Sequence, residues 1–211
     1  MNEKNPIEDL KEIRKMMESS SKFLSLSGLS GVFAGITALV GAFFAAQEIK
    51  HWNLKLPHYY LQNRLSEGID EMSFRLFMLA ILILVVALSF GVLFTWLKAR
   101  KNNQKLWTSL SLRLVLSIMV PLVFGGLFII GLYYQGFAVL IAPATLIFYG
   151  MALLNGSKYV HQDIKYLALC EMALGVISLF DLNHGVTYWA IGFGVLHILY
   201  GTIMYFKYDR K

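Results

Sequence analysis

Uncharged apolar runs recur along this chain at lengths suited to a lipid bilayer. Phe23 to Gln47 and Leu76 to Leu97 contain no charged residue. Leu114 to Ser157 is an uncharged stretch of 44 residues, with Tyr133-Tyr134-Gln135-Gly136 at its middle. Ile164 to Phe180 is shorter and holds Glu171, and Leu182 to Phe206 has no Asp, Glu, Lys or Arg. A helix needs about 20 mostly apolar residues to cross the hydrocarbon layer. The long run therefore divides in two, with a turn and interfacial aromatics at Tyr133–Gly136. The pattern predicts an all-α, polytopic membrane protein with six transmembrane helices near 23–46, 75–97, 113–134, 137–155, 164–180 and 186–206.

Residues 1–22 follow a different rhythm. Asn5-Pro6-Ile7-Glu8 has the form of a capped helix start. Ile7, Leu10, Ile13 and Met17 then recur at helical spacing, with charge on the other face. This reads as a cytoplasmic amphipathic helix, resting on the membrane surface or docking a cytoplasmic protein partner. The apolar run that follows is longer than the ~7–15-residue core of a signal peptide, so cleavage is not expected. Residues 207–211 form a short polar tail.

Composition agrees with the pattern. Of 211 residues, 57% are hydrophobic and 15% charged, and mean hydropathy is +0.58. A soluble fold of this size lacks the interior to hide so much apolar surface. The net charge of +6 belongs to topology and not to nucleic acid, because the basic residues flank the apolar runs. Fifteen of the 19 Lys and Arg fall on the side of the N-terminal arm, the second and fourth loops and the tail. The other four are Lys50, Lys55, Arg64 and Arg75. The bias places both termini in the cytoplasm of a bacterial inner membrane. The single cysteine, Cys170, excludes an intrachain disulfide and reads as a small core residue.

Lipid gives helices no hydrophobic reason to associate, so small residues must allow close backbone packing. Gly28, Gly31 and Gly35 line the first helix, Gly175 the fifth, and Gly194 and Gly201 the sixth. The first, fifth and sixth helices are expected near the bundle centre, and the second, lacking such a seam, against lipid. Pro121 and Pro143 are expected to kink the third and fourth helices. The six helices also read as three parallel hairpin repeats. Gly35, Gly126 and Gly175 recur in the first members, and Phe90-Gly91, Tyr149-Gly150 and Tyr200-Gly201 in the second. Exposed seams would permit a homo-oligomer.

One constellation carries chemistry. Glu171 and His197 both lie on these seams, each 13 residues from a turn centred near residue 184. An antiparallel hairpin brings them to one depth, where a charge costs about 2.5–3.5 kcal/mol by insertion scales. Burial favours the neutral form of each group, and their attraction favours the ion pair. Two readings stay open: a proton relay, or a polar clasp that fixes helix register. Tyr149 and Tyr200 have two readings, an extension of the polar path from the pair or interfacial anchors, and aromatics near helix ends are usually the latter. His51 and His58 are weak metal candidates in the outer loop, and no other metal pattern is found. With only His197 deep in the membrane, bis-histidine haem is not expected, and no cofactor is implied. Asn155-Gly156-Ser157 reads as a helix stop, and Asp163 as the cap of the fifth helix.

Ser25-Leu-Ser-Gly-Leu-Ser-Gly31, Asn155-Gly-Ser-Lys-Tyr159 and Gly192-Phe-Gly-Val-Leu-His197 resemble an uncharacterised family of small bacterial six-helix membrane proteins. The three-hairpin layout is similar to that of HdeD-type acid-resistance membrane proteins. Neither resemblance brings a functional residue or an activity. The sequence alone leaves three functions open: a proton-linked small-solute transporter, a membrane sensor or scaffold that recruits a cytoplasmic protein, and a membrane-embedded redox or lipid enzyme.

Overall fold

The computed structural model describes residues 27–51, 71–103 and 107–210. The N-terminal arm and His58 lie outside the described residues, as does most of the first outer loop. The described chain is helical: α1 (Gly28–His51), α2 (Glu71–Lys101), α3 (Ser109–Tyr134), α4 (Ile141–Gly156), α5 (Ile164–Phe180) and α6 (Leu182–Asp209). Counted with the 3-10 turn Ala138–Leu140 that leads into α4, five of the six, all but α5, are long and apolar enough to cross a membrane. At 17 residues, α5 spans about 26 Å, a little less than the hydrocarbon layer. The protein is multi-pass by these helices.

Local signals explain the ends. Thr108 starts α3 through a reciprocal capping box, accepting from the Ser111 amide at 3.1 Å while the Thr108 amide donates to Ser111 Oγ at 2.8 Å. Gly136 turns α3 into α4 at a φ of 78°, which only a glycine adopts without strain. Pro143 falls in the first turn of α4, where a missing N–H costs no hydrogen bond within that helix. Pro121 lies inside α3, which continues unbroken as one helix.

Packing is a chain of neighbours. α2 rests on α1, α1 on α6, α6 on α4 and α5, and α3 on α4. Phe33 of α1 stacks with Phe90 and Phe94 of α2 at 5.3 and 4.8 Å. Ile83 of α2 packs on Gly41 of α1, and the large side chains on the other face of α2, such as Leu82, Leu84, Val85 and Leu88, are exposed. The α1–α6 contact is backbone on backbone. A Cβ placed on Gly28 would stand 2.3 Å from the Tyr205 amide nitrogen, and one on Gly35 2.6 Å from the Gly194 carbonyl. Gly31 faces Gly201.

α4 corrects one expectation. It is central, burying Pro143, Leu146, Gly150, Leu153 and Gly156. Gly150 meets Met172 and the Ala168 carbonyl of α5, and Gly175 of α5 meets Ile147 and the Pro143 carbonyl of α4. On its other side Asn155 Nδ2 donates to the Ser117 carbonyl of α3 at 2.7 Å, and Ser117 Oγ donates to the Asn155 carbonyl at 3.1 Å. The glycines of the expected hairpin repeats are not packed alike, because a Cβ placed on Gly91 or Gly126 would meet nothing within 4 Å.

The start of α1, the end of α2, the α4–α5 turn and the end of α6 meet on one face. Asp209 accepts from the Gly28 amide at 2.8 Å and from Ser27 Oγ at 3.1 Å, and pairs with Lys98 at 2.6 Å. Asp163 does not cap α5 through its side chain. Instead it accepts from Lys207 Nζ at 2.7 Å and Tyr208 Oη at 2.9 Å, a cation and a phenol that outcompete a neutral amide. His161 stacks on Tyr208 at 3.8 Å.

The hydrogen bond from Lys207 holds the Asp163 carboxyl below the ordinary aspartate value of 3.8. A depressed folded value stabilises the clamp above 3.8, and the gain is lost as pH falls through that lowered value. We expect carbon-13 NMR of the Asp163 carboxyl to titrate below 3.8, and Lys207→Met to move the midpoint upward. A wild-type midpoint at or above 3.8 would refute the clamp.

Candidate functional site

α5 and α6 run antiparallel and set Glu171 beside His197, with Oε1 3.3 Å from Nδ1. Glu171 is fully enclosed, at 0% exposure, and His197 is nearly so. The equal offsets from the residue-184 turn account for the shared level. Cys170, one position earlier on α5, turns outward and is exposed, which corrects its reading as a core residue. The helical step of about 100° separates the two side chains.

The segment Ala190–Leu196 of α6 is π-helical, wider than the α-helix on either side. It brings the Gly192 carbonyl within 3.0 Å of His197 Nδ1, five residues on. Such bulges are rare and recur at functional sites. A carbonyl only accepts, so in the neutral ring Nδ1 carries the proton and Nε2 accepts. Nε2 takes the Tyr149 hydroxyl of α4 at 2.8 Å. The imidazole therefore joins two groups on two other helices, Glu171 and Tyr149. Tyr149 and Phe193 flank the ring, with Phe193 nearly parallel to it at 5.9 Å.

Neither Glu171 oxygen has a partner of hydrogen-bond geometry. Room for the carboxyl comes from Gly192, where a methyl group would stand 2.5 Å from Oε2 and 2.4 Å from Leu146. Two participants take roles that the apolar pattern does not reveal. Tyr149 is a hydrogen-bond partner and not an anchor, and Gly192 is the space in which the carboxyl sits. A signal for Tyr149 existed. Its neighbour Gly150 allows α4 to approach α5 at Met172, next to Glu171.

The remaining candidates lie elsewhere. Gly28, Gly31, Gly35, Gly194 and Gly201 form the α1–α6 contact, and Gly175 the α4–α5 contact. His51 ends α1 and is exposed. His184 sits at the opposite end of the bundle from the Asp163 clamp, 2.9 Å from Asp181. Among the described residues no group of three or more His, Cys, Asp or Glu could hold a metal ion. What the site can do chemically is accept, hold and pass a proton between a carboxyl, an imidazole and a phenol. No protein family, curated protein or solved structure matches the chain, so its function is argued from these residues alone.

Proposed function

We propose that this chain is a multi-pass protein of a bacterial inner membrane, with six crossings and cytoplasmic termini, that couples proton binding at Glu171 and His197 to the passage of a small solute. The Lys and Arg bias supports the orientation. The packing of α5 between α4 and α6 supports counting it as the sixth crossing despite its length. The observation that carries the function is the chain Tyr149–His197–Glu171. Three titratable side chains from three helices are linked in series, ending on a carboxyl with no other partner. A purely structural clasp would be expected to satisfy both carboxyl oxygens. An intramembrane carboxyl left one proton away from a new hydrogen bond marks a relay.

The test is proton uptake. The purified chain is reconstituted in liposomes loaded with a pH-sensitive dye, and a potassium diffusion potential is imposed with valinomycin. Wild type will acidify the lumen at a pH-dependent rate, and Glu171→Gln will fall to the rate of empty liposomes. Wild-type uptake no faster than empty liposomes rejects the reading.

A further inference from the structure

α2 meets α1 through Ile83, Phe90 and Phe94. Away from that contact it carries a shallow groove lined by Val85, Leu88, Ser89, Val92, Leu93 and Trp96. These residues stand three and four positions apart, so they form one stripe along the helix. From Val85 to Trp96 the stripe runs about 16 Å. That is half of the ~30 Å hydrocarbon layer, the depth of one leaflet. Its five apolar members are all exposed. Ser89 donates its hydroxyl to the Val85 carbonyl of its own helix at 2.7 Å, so the stripe asks for no polar partner.

Size and charge identify what covers it. The lining has no glycine or alanine, so the backbone of another helix cannot come close, whereas a flexible acyl chain needs only apolar surface. One turn past Trp96, the Arg100 guanidinium lies over the indole, 5.4 Å from the ring centroid. A guanidinium held by its flat face keeps its N–H edge for a phosphate, which it grips through two hydrogen bonds. That turn lies about 6 Å beyond the end of the groove, at headgroup depth. Lys101 follows and is exposed, while Lys98 of the same turn pairs with Asp209. α2 has no acidic residue after Glu71 to offset these cations.

We propose that this face of α2 is a binding site for one anionic phospholipid of the leaflet that meets Arg100. An acyl chain lies along the stripe from Trp96 to Val85. The lipid phosphate accepts hydrogen bonds from the Arg100 guanidinium, and Lys101 adds positive charge beside it. The indole of Trp96 joins the two parts, packing on the chain with its edge and holding Arg100 on its face. The site is independent of the Glu171 and His197 pair.

Tryptophan quenching by brominated lipid reads the site directly. The chain has four tryptophans, Trp52, Trp96, Trp107 and Trp189. Two full-length versions each keep one, Trp96 or Trp107, with phenylalanine at the other three. Trp107 is 80% exposed, precedes the cap of α3 at the same end of the bundle and lies outside the groove, so it reports lipid that gathers there without a site. Each version is reconstituted in phosphatidylcholine vesicles with an equal fraction of either phosphatidylglycerol or phosphatidylcholine brominated in the acyl chain. Trp96 will favour the anionic quencher by about fivefold, and Trp107 by less than half as much. Arg100→Gln will bring Trp96 down to the Trp107 value. Salt at about 1 M, where screening acts within about 3 Å, will do the same, and carries the test if the variant does not fold. No preference at Trp96, an equal preference at the two tryptophans, or a Trp96 preference that survives both Arg100→Gln and high salt overturns the proposal.

Discussion

His197→Ala will destabilise the folded bundle by about 3–5 kcal/mol, the usual cost of stripping one partner from a buried ionisable pair. The residue ties three helices. Its loss leaves Glu171, at 0% exposure, without the imidazole at 3.3 Å. It also leaves the Tyr149 hydroxyl and the Gly192 carbonyl without their side-chain partners. An unsatisfied buried polar group costs about 1–3 kcal/mol, and the cavity adds to this. The check is reversible unfolding in mixed micelles, run as a double-mutant cycle with Glu171→Leu. Once the carboxyl is gone, removing the imidazole will cost much less, because replacing both partners by apolar groups is often close to neutral. Equal costs in the two backgrounds would show that the pair is not coupled.

The second large effect is expected at the α1–α6 contact. Gly201→Ala adds a methyl group 2.5 Å from the Val32 amide nitrogen and 2.6 Å from the Gly28 carbonyl. Both are main-chain atoms, so no side chain can rotate away, and the helices must part. Overpacking of this kind costs about 1–3 kcal/mol. In lipid no hydrophobic gradient restores the contact once close packing is lost. Gly126→Ala is the control. It meets nothing within 4 Å, and the better helix propensity of alanine makes it neutral or stabilising by up to about 1 kcal/mol. The same unfolding measurement separates them. If Gly201→Ala is as harmless as Gly126→Ala, α1 does not rest on α6 as described. A Cβ on Gly31 would lie 3.4 Å from the His197 carbonyl, so a parting of α1 from α6 should also disturb the setting of His197.

Much of the pair was legible before any coordinates. Two ionisable residues in apolar runs, equally distant from one turn, must share a depth if the hairpin is antiparallel. The glycines of α1 and α6 likewise announced a close contact by their spacing. The central place of α4 was less legible. Its glycines, Gly150 and Gly156, are no more frequent than those of α3, and only the structure shows which are covered. Asp163 stood at a cap position, yet its partners came from residues 44 and 45 positions away. The π-helical stretch of α6 has no signature in the apolar pattern, since a widened turn changes the rotation of the residues that follow and not their polarity.

The sequence by itself determined where the apolar helices lie, on which side the basic residues gather, and that Glu171 and His197 stand level. Those are properties of single segments, set by the cost of placing each residue in hydrocarbon. Only the tertiary structure decided that Tyr149 completes the chain, that Gly192 makes room for the carboxyl, and that Asp163 is held by Lys207 and Tyr208. Those depend on how each helix is rotated about its own axis against its neighbours. Lipid surrounds every apolar face alike, so hydrophobicity leaves that rotation undetermined and close packing has to settle it.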